Sequence, residues 1–308
     1  MTIRKIFLIF LIPAAVAAGM FFVFLSGAEI KNHVTADETE QPVQEILSGQ
    51  IIKAELNPDY LYPALLFAES VEIKQYGLIK GAIVTHHDLA IRMTAENLYR
   101  ISRNQKVDRL ILISPNHSDI GLSQAIGSLA EYDTIFGRLS QDESILEDLR
   151  SAGLLSYDYE NIKNEHGINY IVPLIKYYFP EAKVAALSLS SKHDLKQDLK
   201  LSNALSKYLD EANTVLIASI DFSHYLSTSS ANQNDSKTLE AIKALDFDFL
   251  STFNNDFFDS PAALSTLMSS LDLAKATNDI ILGHANSSDF VGHELNSSTG
   301  YFSILFSK

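Results

Sequence analysis

The chain has 308 residues, no cysteine and a formal net charge of −14. Without cysteine it can form no disulfide, no thiolate metal site, no cysteine nucleophile and no lipid anchor on cysteine. The acidic balance, with no clustered stripe of Lys and Arg, argues against a nucleic-acid partner.

The N-terminal segment combines a positive flank with a long uncharged run. Arg4 and Lys5 precede residues 6–27, which carry no charge. Because about 20 apolar residues suffice to cross a bilayer, this run predicts a transmembrane anchor with the following domain outside the cytoplasm. Secretion after cleavage of a signal peptide is the alternative, since residues 26–28 are small. The run exceeds the usual signal-peptide core of roughly 7–15 residues, which favours the anchor.

Beyond a polar linker, short apolar runs alternate with helical patterns. We divide the chain into residues 1–28 (anchor or signal peptide), 29–50 (linker) and 51–308 (one folded domain). The predicted strands cover residues 78–85, 109–114, 183–190, 214–220, 280–283 and 301–306, and the predicted helices cover 89–104, 168–179, 194–209, 237–245 and 261–274. Continuous apolar strands between helices predict an α/β domain whose central sheet, mostly parallel or mixed, is flanked by helices on both faces.

Four histidines lie where these predicted elements end or begin. Each follows a strand or precedes a helix: His86, His117, His166 and His224. In α/β proteins ligands bind at the carboxyl ends of buried strands, where a histidine can hold a metal or move a proton. Together the four histidines predict a buried, histidine-rich site.

Carboxylates accompany two of these histidines. Asp221 ends a strand shortly before His224, where an unpaired carboxylate would be costly to bury. The pair could supply a metal ligand with its orienting partner, or an acid and a base. Glu165 precedes His166 and could orient the imidazole, accept its proton or serve the positive end of the helix dipole.

In these residues the chain resembles the MEMO-like family, also known in prokaryotes as AmmeMemoRadiSam system protein B. The resemblance runs from about residue 62 to the C-terminus, and its pieces are Ile-Val-Thr-His (83–86), Ser-Pro-Asn-His (114–117), Asn-Glu-His (164–166), Asp-Phe-Ser-His (221–224), Asp-Ser-Pro-Ala-Ala-Leu (259–264) and Ala-Asn-Ser-Ser-Asp-Phe (285–290). The family shares its fold with class III extradiol dioxygenases, which hold a non-haem iron with two histidines and a carboxylate. The resemblance therefore implies His86, His117 and a residue near Asp259 as metal ligands, with His166 and His224 lining the pocket.

Two features depart from the family pattern. Animal members have a metal-binding cysteine just before the segment that matches Pro261, and here Asp256 or Asp259 would replace it. Two histidines and a carboxylate suit Fe(II), whereas loss of the soft thiolate weakens a preference for Cu(I). We therefore expect a divalent metal, with Fe(II) favoured and Cu or Zn as alternatives. The second departure is the anchor, since the family is otherwise regarded as cytoplasmic.

Three functions are compatible with these residues. The first is a membrane-anchored redox enzyme or oxygenase that acts on an unidentified small molecule through iron held by His86, His117 and Asp259. Its catalytic residues would be His224, His166, Glu165 and Asp221. The second is a non-catalytic metal-binding or scaffold protein at the cell surface. A zinc hydrolase ranks third, because nothing in the sequence selects a scissile bond. A homo-oligomer is compatible with each.

Overall fold

The computed structural model describes residues 49–121, 123–192, 194–252 and 255–308. The predicted anchor or signal peptide and nearly all of the linker lie outside these residues. Within the described ranges, no helix is long and apolar enough to cross a membrane. The strands are β1 (Ile51–Lys53), β2 (Ile79–Val84), β3 (Arg109–Pro115), β4 (Ala125–Gly127), β5 (Glu131–Thr134), β6 (Gly137–Leu139), β7 (Ser156–Tyr157), β8 (Lys183–Leu189), β9 (Thr214–Ser219), β10 (Phe222–Leu226), β11 (Asn278–Asn286) and β12 (Ser298–Ser307).

The described helices lie between these strands along the chain. They are α1 (Pro58–Ser70), α2 (Ile91–Asn104), α3 (Glu143–Ser151), α4 (Tyr159–Ile162), α5 (His166–Asn169), α6 (Val172–Tyr178), α7 (Leu195–Leu209), α8 (Thr228–Ala244), α9 (Phe247–Thr252), α10 (Pro261–Leu273) and α11 (Ser287–Val291). A short 3-10 helix, Asp88–Ala90, leads into α2.

Most strands belong to one mixed sheet. Its order is β10-β12-β2-β9-β3-β8-β4-β7, and β11 also pairs with β12. The central strands β2, β9, β3 and β8 are parallel. By contrast, β12 is antiparallel to β2, β10 and β11, and β4 is antiparallel to β8. A separate small sheet has the order β1-β5-β6. The prediction of an α/β domain with a mixed central sheet is therefore confirmed.

The central strands are apolar without alternation because helices cover both faces of the sheet. In β3, Leu110 and Leu112 point to the face that packs against α1, α2 and α6. Ile111 and Ile113 point to the opposite face, which packs against α3, α7 and α10. Side chains alternate along a strand, so each strand contributes to both halves of the core.

Several predicted elements differ from the observed ones. The predicted helix 168–179 is two helices, α5 and α6, and Pro173 lies in the first turn of α6, where its missing N–H is tolerated. Helix α8 begins well before residue 237, because Ser227 caps it by accepting from the Ser230 N–H. That first part of α8 is polar, so it lacks the apolar periodicity on which the prediction relied.

A partly buried ion pair fastens the start of β3 to α3. Arg109 Nε donates to Asp142 Oδ2 at 2.6 Å, and Nη2 donates to Oδ1 at 3.1 Å. Asp142 is buried and also caps α3 by accepting from the Ile145 N–H. Burial raises the pKa of Asp142, but the hydrogen bonds from Arg109 and Ser144 and the charge of Arg109 together outweigh burial, so the pKa lies below its usual range.

We expect Asp142→Asn to lower the free energy of unfolding by about 1–3 kcal/mol at neutral pH, because asparagine still caps α3 but carries no charge opposite Arg109. Since the folded-state pKa of Asp142 lies below its unfolded value, this stabilisation is present above about pH 4 and is lost as the pH falls through the folded-state pKa. Urea unfolding across this pH range measures the difference. The control is Asp158→Asn, because Asp158 caps α4 through Asn161, an uncharged partner. Equal losses in both variants would contradict the ion-pair account.

Candidate metal centre

Three neighbouring parallel strands end at the same edge of the sheet. The strand β9 lies between β2 and β3. The residues two positions beyond the ends of β2, β9 and β3 are His86, Asp221 and His117. This edge is where open α/β sheets bind ligands, so the topology brings three candidate residues to one place.

His86 is fixed in one orientation by a buried serine. Its Nδ1 lies 3.0 Å from Ser219 Oγ, and that hydroxyl donates to the Gly167 carbonyl at 2.7 Å. Because the serine proton is committed to Gly167, Nδ1 must donate to Ser219. The other ring nitrogen, Nε2, faces two carboxylates, at 3.2 Å from Asp259 Oδ2 and 3.6 Å from Asp221 Oδ2. Nε2 is therefore the atom that could bind a metal.

The charge of His86 depends on these carboxylates. Burial lowers its pKa, but the charges of Asp221 and Asp259 outweigh burial and raise it to about 9. In the metal-free protein both ring nitrogens of His86 are therefore protonated near neutral pH, and the ring is positively charged. A metal ion that binds Nε2 has to displace the proton on that nitrogen.

His117 is held by both oxygens of a buried glutamate. Its Nδ1 lies 2.6 Å from Glu165 Oε1, and its backbone N–H donates to Oε2 at 3.0 Å. Glu165 Oε1 also accepts from the Gly167 N–H, and the two bonds from His117 help to keep the pKa of Glu165 low although burial raises it. With Nδ1 occupied by the carboxylate, Nε2 of His117 is left to face the centre, 3.9 Å from Asp259 Oδ2.

Asp259 completes the cluster from the segment before α10. Its Oδ2 accepts from the Asp221 N–H at 3.2 Å and lies nearest to the two imidazoles. Its Oδ1 is buried and has no hydrogen-bond partner among the described residues. Asp256, the other candidate from the sequence, is exposed. The structure thus places the carboxylate of Asp259, and not that of Asp256, beside His86.

Two groups at this edge could hold a metal ion, His86 with His117 and His166, and His86 with Asp221 and Asp259. Ligand atoms that each lie about 2.1 Å from a metal are about 3.0–3.4 Å apart in octahedral or tetrahedral arrangements. The 3.2 Å between His86 Nε2 and Asp259 Oδ2 falls in this range, and the 3.9 Å from His117 Nε2 requires only a small movement. Asp259 Oδ1, which has no partner in the described ranges, is a further acceptor that a cation would satisfy.

His166 lies at the outer side of the cluster. Its ring packs against that of His117, with centroids 3.8 Å apart and an interplanar angle of 35°, and it lies 5.3 Å from the His86 ring. Burial, together with the positive charges of His117 and His86, lowers its pKa to about 4. His166 is therefore neutral near pH 7, with 43% of its side chain exposed. It is available as a further ligand or as a base.

Asp221 contacts His86 directly, whereas His224 is related to the cluster through its charge, which acts on Asp221. Asp221 Oδ1 accepts from the Thr85 hydroxyl and from the His86 N–H. Burial raises the pKa of Asp221, but His86, Thr85 and, more weakly, His224 lower it, so Asp221 stays ionised. His224 lies on β10, and its Nδ1 is buried without a hydrogen-bond partner in the part of the chain that the structure describes.

Sequence reasoning missed two residues that shape this centre. Ser219, which orients His86, is the last residue of the apolar strand β9. This position was the only feature of the sequence that could have marked Ser219 as part of the site. Gly167 leaves room for the histidines, because a Cβ there would lie 2.2 Å from Ser114 Oγ and 3.4 Å from His117 Cε1. Neither requirement is visible without the contacts across the sheet edge.

Archaeal proteins are similar to this chain along most of its length. A MEMO1 family protein of Pyrobaculum aerophilum is 29% identical over 207 residues, which cover 65% of this chain and 73% of that protein. A MEMO1 family protein of Caldivirga maquilingensis is 28% identical over 246 residues, which cover 77% of this chain and 86% of that protein.

A solved structure supports the fold at low sequence identity. The crystal structure of the uncharacterized protein JW3007 from Escherichia coli K12 matches with a TM-score of 0.50 and 11% identity, over 73% of this chain and 99% of that one. At this identity the match shows the fold alone. The sequence model of the family described as Memo-like protein matches residues 64–305. The chain therefore belongs to the Memo-like family.

Proposed function

We propose that this protein binds one divalent metal ion, with Fe(II) favoured, through His86, His117 and Asp259, and acts as a redox enzyme or oxygenase on a small molecule. A donor set of two histidines and a carboxylate suits non-haem iron, and no thiolate is present to select Cu(I). Cu or Zn would also fit imidazole ligands. The substrate stays unidentified.

One observation carries the proposal. The Nδ1 atom of each imidazole donates a hydrogen bond to an acceptor, Ser219 Oγ for His86 and Glu165 Oε1 for His117. Both Nε2 atoms are therefore left to converge on the Asp259 carboxylate. Such outer partners fix the tautomer and raise the basicity of metal-binding histidines. A purely structural histidine cluster would not need both orientations to be set.

The surrounding residues divide the remaining tasks. Bound Fe(II) would supply open coordination positions for a substrate and O2. His166, neutral and partly exposed, would accept a proton from an incoming substrate. His224, whose Nδ1 has no hydrogen-bond partner in the described ranges and whose charge acts on Asp221, would act as acid or base. Glu165 and Asp221 would hold His117 and His86 in place through the hydrogen bonds that they accept.

Membrane attachment is a separate part of the proposal. Its support is the uncharged run 6–27 behind Arg4 and Lys5, which lies outside the described residues. The alternative, secretion after cleavage, would leave the folded domain unchanged. N-terminal sequencing of the mature protein together with membrane fractionation distinguishes the two.

A non-catalytic metal-binding protein is the second candidate function, and one observation favours it. His86 belongs to two possible ligand groups, one with His117 and His166 and the other with Asp221 and Asp259. If four of these five residues bound a tetrahedral ion such as Zn(II), no coordination position would be open, as in structural sites.

We expect the His86→Ala/His117→Ala double variant to lose metal while it stays folded. Elemental analysis of the full-length chain, purified without oxygen, should find near-stoichiometric iron in the wild type and little in the variant. His293→Ala is the control, since His293 is exposed. Equal metal content in all three proteins would contradict the assignment of the site.

Asp259→Ala should weaken iron binding more than Asp256→Ala. We expect a loss greater than about 100-fold for Asp259, because substitutions of partners behind the ligands already cost about 10–100-fold. Asp256 is exposed, and its substitution should leave the affinity near that of the wild type. Competition with a chromophoric chelator measures both constants. The reverse order would move the third ligand to Asp256.

Azide should bind to the Co(II)-loaded protein and change its visible absorption, because the proposed enzyme keeps coordination positions open. A spectrum that azide leaves unchanged, at stoichiometric cobalt, would contradict the enzyme and support the non-catalytic function. Glu165→Gln is an informative comparison, since glutamine can still occupy the place beside His117 but without charge.

A further inference from the structure

The loop that carries His117 has a strained backbone position. Asp119, two residues after His117, has a φ of 47°, in the left-handed region. A residue other than glycine there is disfavoured by roughly 1–3 kcal/mol, although aspartate and asparagine tolerate it better than most. Such strain persists only where surrounding contacts hold it.

Those contacts come from the side chain of Asp119. Its Oδ1 accepts from Ser190 Oγ at 2.8 Å and from the Ser191 N–H at 3.0 Å, and its Oδ2 accepts from Ser191 Oγ at 2.9 Å. The hydrogen bonds from Ser190 and Ser191 also lower the pKa of Asp119, so it accepts as a carboxylate. Ser190 and Ser191 directly follow β8. We call this set of contacts the Asp119 clasp.

The Asp119 clasp closes a turn that presents His117. The Asp119 N–H donates to the Asn116 carbonyl at 3.0 Å, so residues 116–119 form a β-turn with His117 at its second position. The Asn116 N–H donates in turn to the Leu189 carbonyl at 2.8 Å, at the end of β8. Ser118 Oγ donates to Asn116 Oδ1 at 2.9 Å. The turn is thus fastened to β8 at both of its ends.

We propose that Asp119 is a positioning residue for the metal ligand His117, which it directs toward the centre by holding this turn against β8. The inference rests on the proposed metal site. Glu165 accepts hydrogen bonds from the ring and the backbone N–H of His117. These two bonds do not fix the direction in which the turn leaves β3. Metal ligands have to be held within about 0.5 Å of the productive geometry, and the Asp119 clasp supplies the missing constraint.

The test compares Asp119→Ala, Asp119→Asn and Asp194→Ala in the full-length chain. Asp194 is the control, because it lies in the same region of the chain as the two serines and caps α7 through the Lys196 N–H. The readouts are the Zn(II) dissociation constant by chelator competition, the visible spectrum of the Co(II) form and urea unfolding of the metal-free protein.

We expect Asp119→Ala to weaken Zn(II) binding by about 10–100-fold and to alter the Co(II) spectrum, as losses behind metal ligands do. Asp119→Asn should recover most of the affinity, because asparagine tolerates the left-handed backbone and keeps an acceptor for Ser190 and Ser191. Asp194→Ala should leave both the affinity and the spectrum unchanged.

The outcomes separate the two proposals. Wild-type affinity in Asp119→Ala, or equal losses in Asp119→Ala and Asp194→Ala, would overturn the positioning role alone. The positioning role would also be overturned if the weaker Zn(II) binding of Asp119→Ala were fully explained by a smaller folded fraction, as measured by urea unfolding. A wild-type chain that binds neither Zn(II) nor Co(II) would overturn the metal site and, with it, the role of the Asp119 clasp.

Discussion

The candidate centre depends on the register in which β9 pairs with its two neighbours. Ile83 of β2 and Ile113 of β3 both lie opposite Ala218 of β9. From these paired positions His86 and Asp221 are three residues further along the chain and His117 is four, so all three reach the edge of the sheet at the same height. A shift of one residue in either pairing would turn the side chains to the opposite face. Each face packs against its own set of helices, so such a shift would exchange the side chains of the two halves of the core and disrupt the packing of both.

Burial of several carboxylates at one place sets the electrostatics of this edge. Glu165, Asp221 and Asp259 have little contact with solvent, and buried carboxylates need partners. Hydrogen bonds to Glu165 and Asp221 satisfy most of their oxygens, and the proton on His86 supplies one positive charge. The excess of negative charge and the Asp259 Oδ1 atom, which no described residue contacts by a hydrogen bond, leave the centre suited to a cation. Without a metal, the site therefore has a net negative charge and an unsatisfied acceptor, and a bound cation would compensate both.

Exposure increases from one side of the cluster to the other. The His86 side chain is 3% exposed, whereas those of His117 and His166 are 30% and 43% exposed. In the proposed enzyme a small molecule would approach past His166 and His117, over the turn that the Asp119 clasp holds. Of the proposed ligands, His86 is fixed by buried groups, Ser219 and the two aspartates, whereas His117 is fixed by Glu165 and by hydrogen bonds at the loop surface.

The sequence by itself determined the α/β class, the central strands and the family, because uninterrupted apolar runs are typical of strands covered on both faces and the short motifs keep their order along the chain. It also identified the residues that meet at the edge, since polar side chains directly after buried strands have few other roles. It left Asp256 and Asp259 as alternatives, and it missed Ser219, Gly167 and the serines that hold Asp119. Only the tertiary structure decided these, because the tautomer of an imidazole, the room beside a glycine and the direction of a carboxylate depend on contacts between residues far apart in the chain.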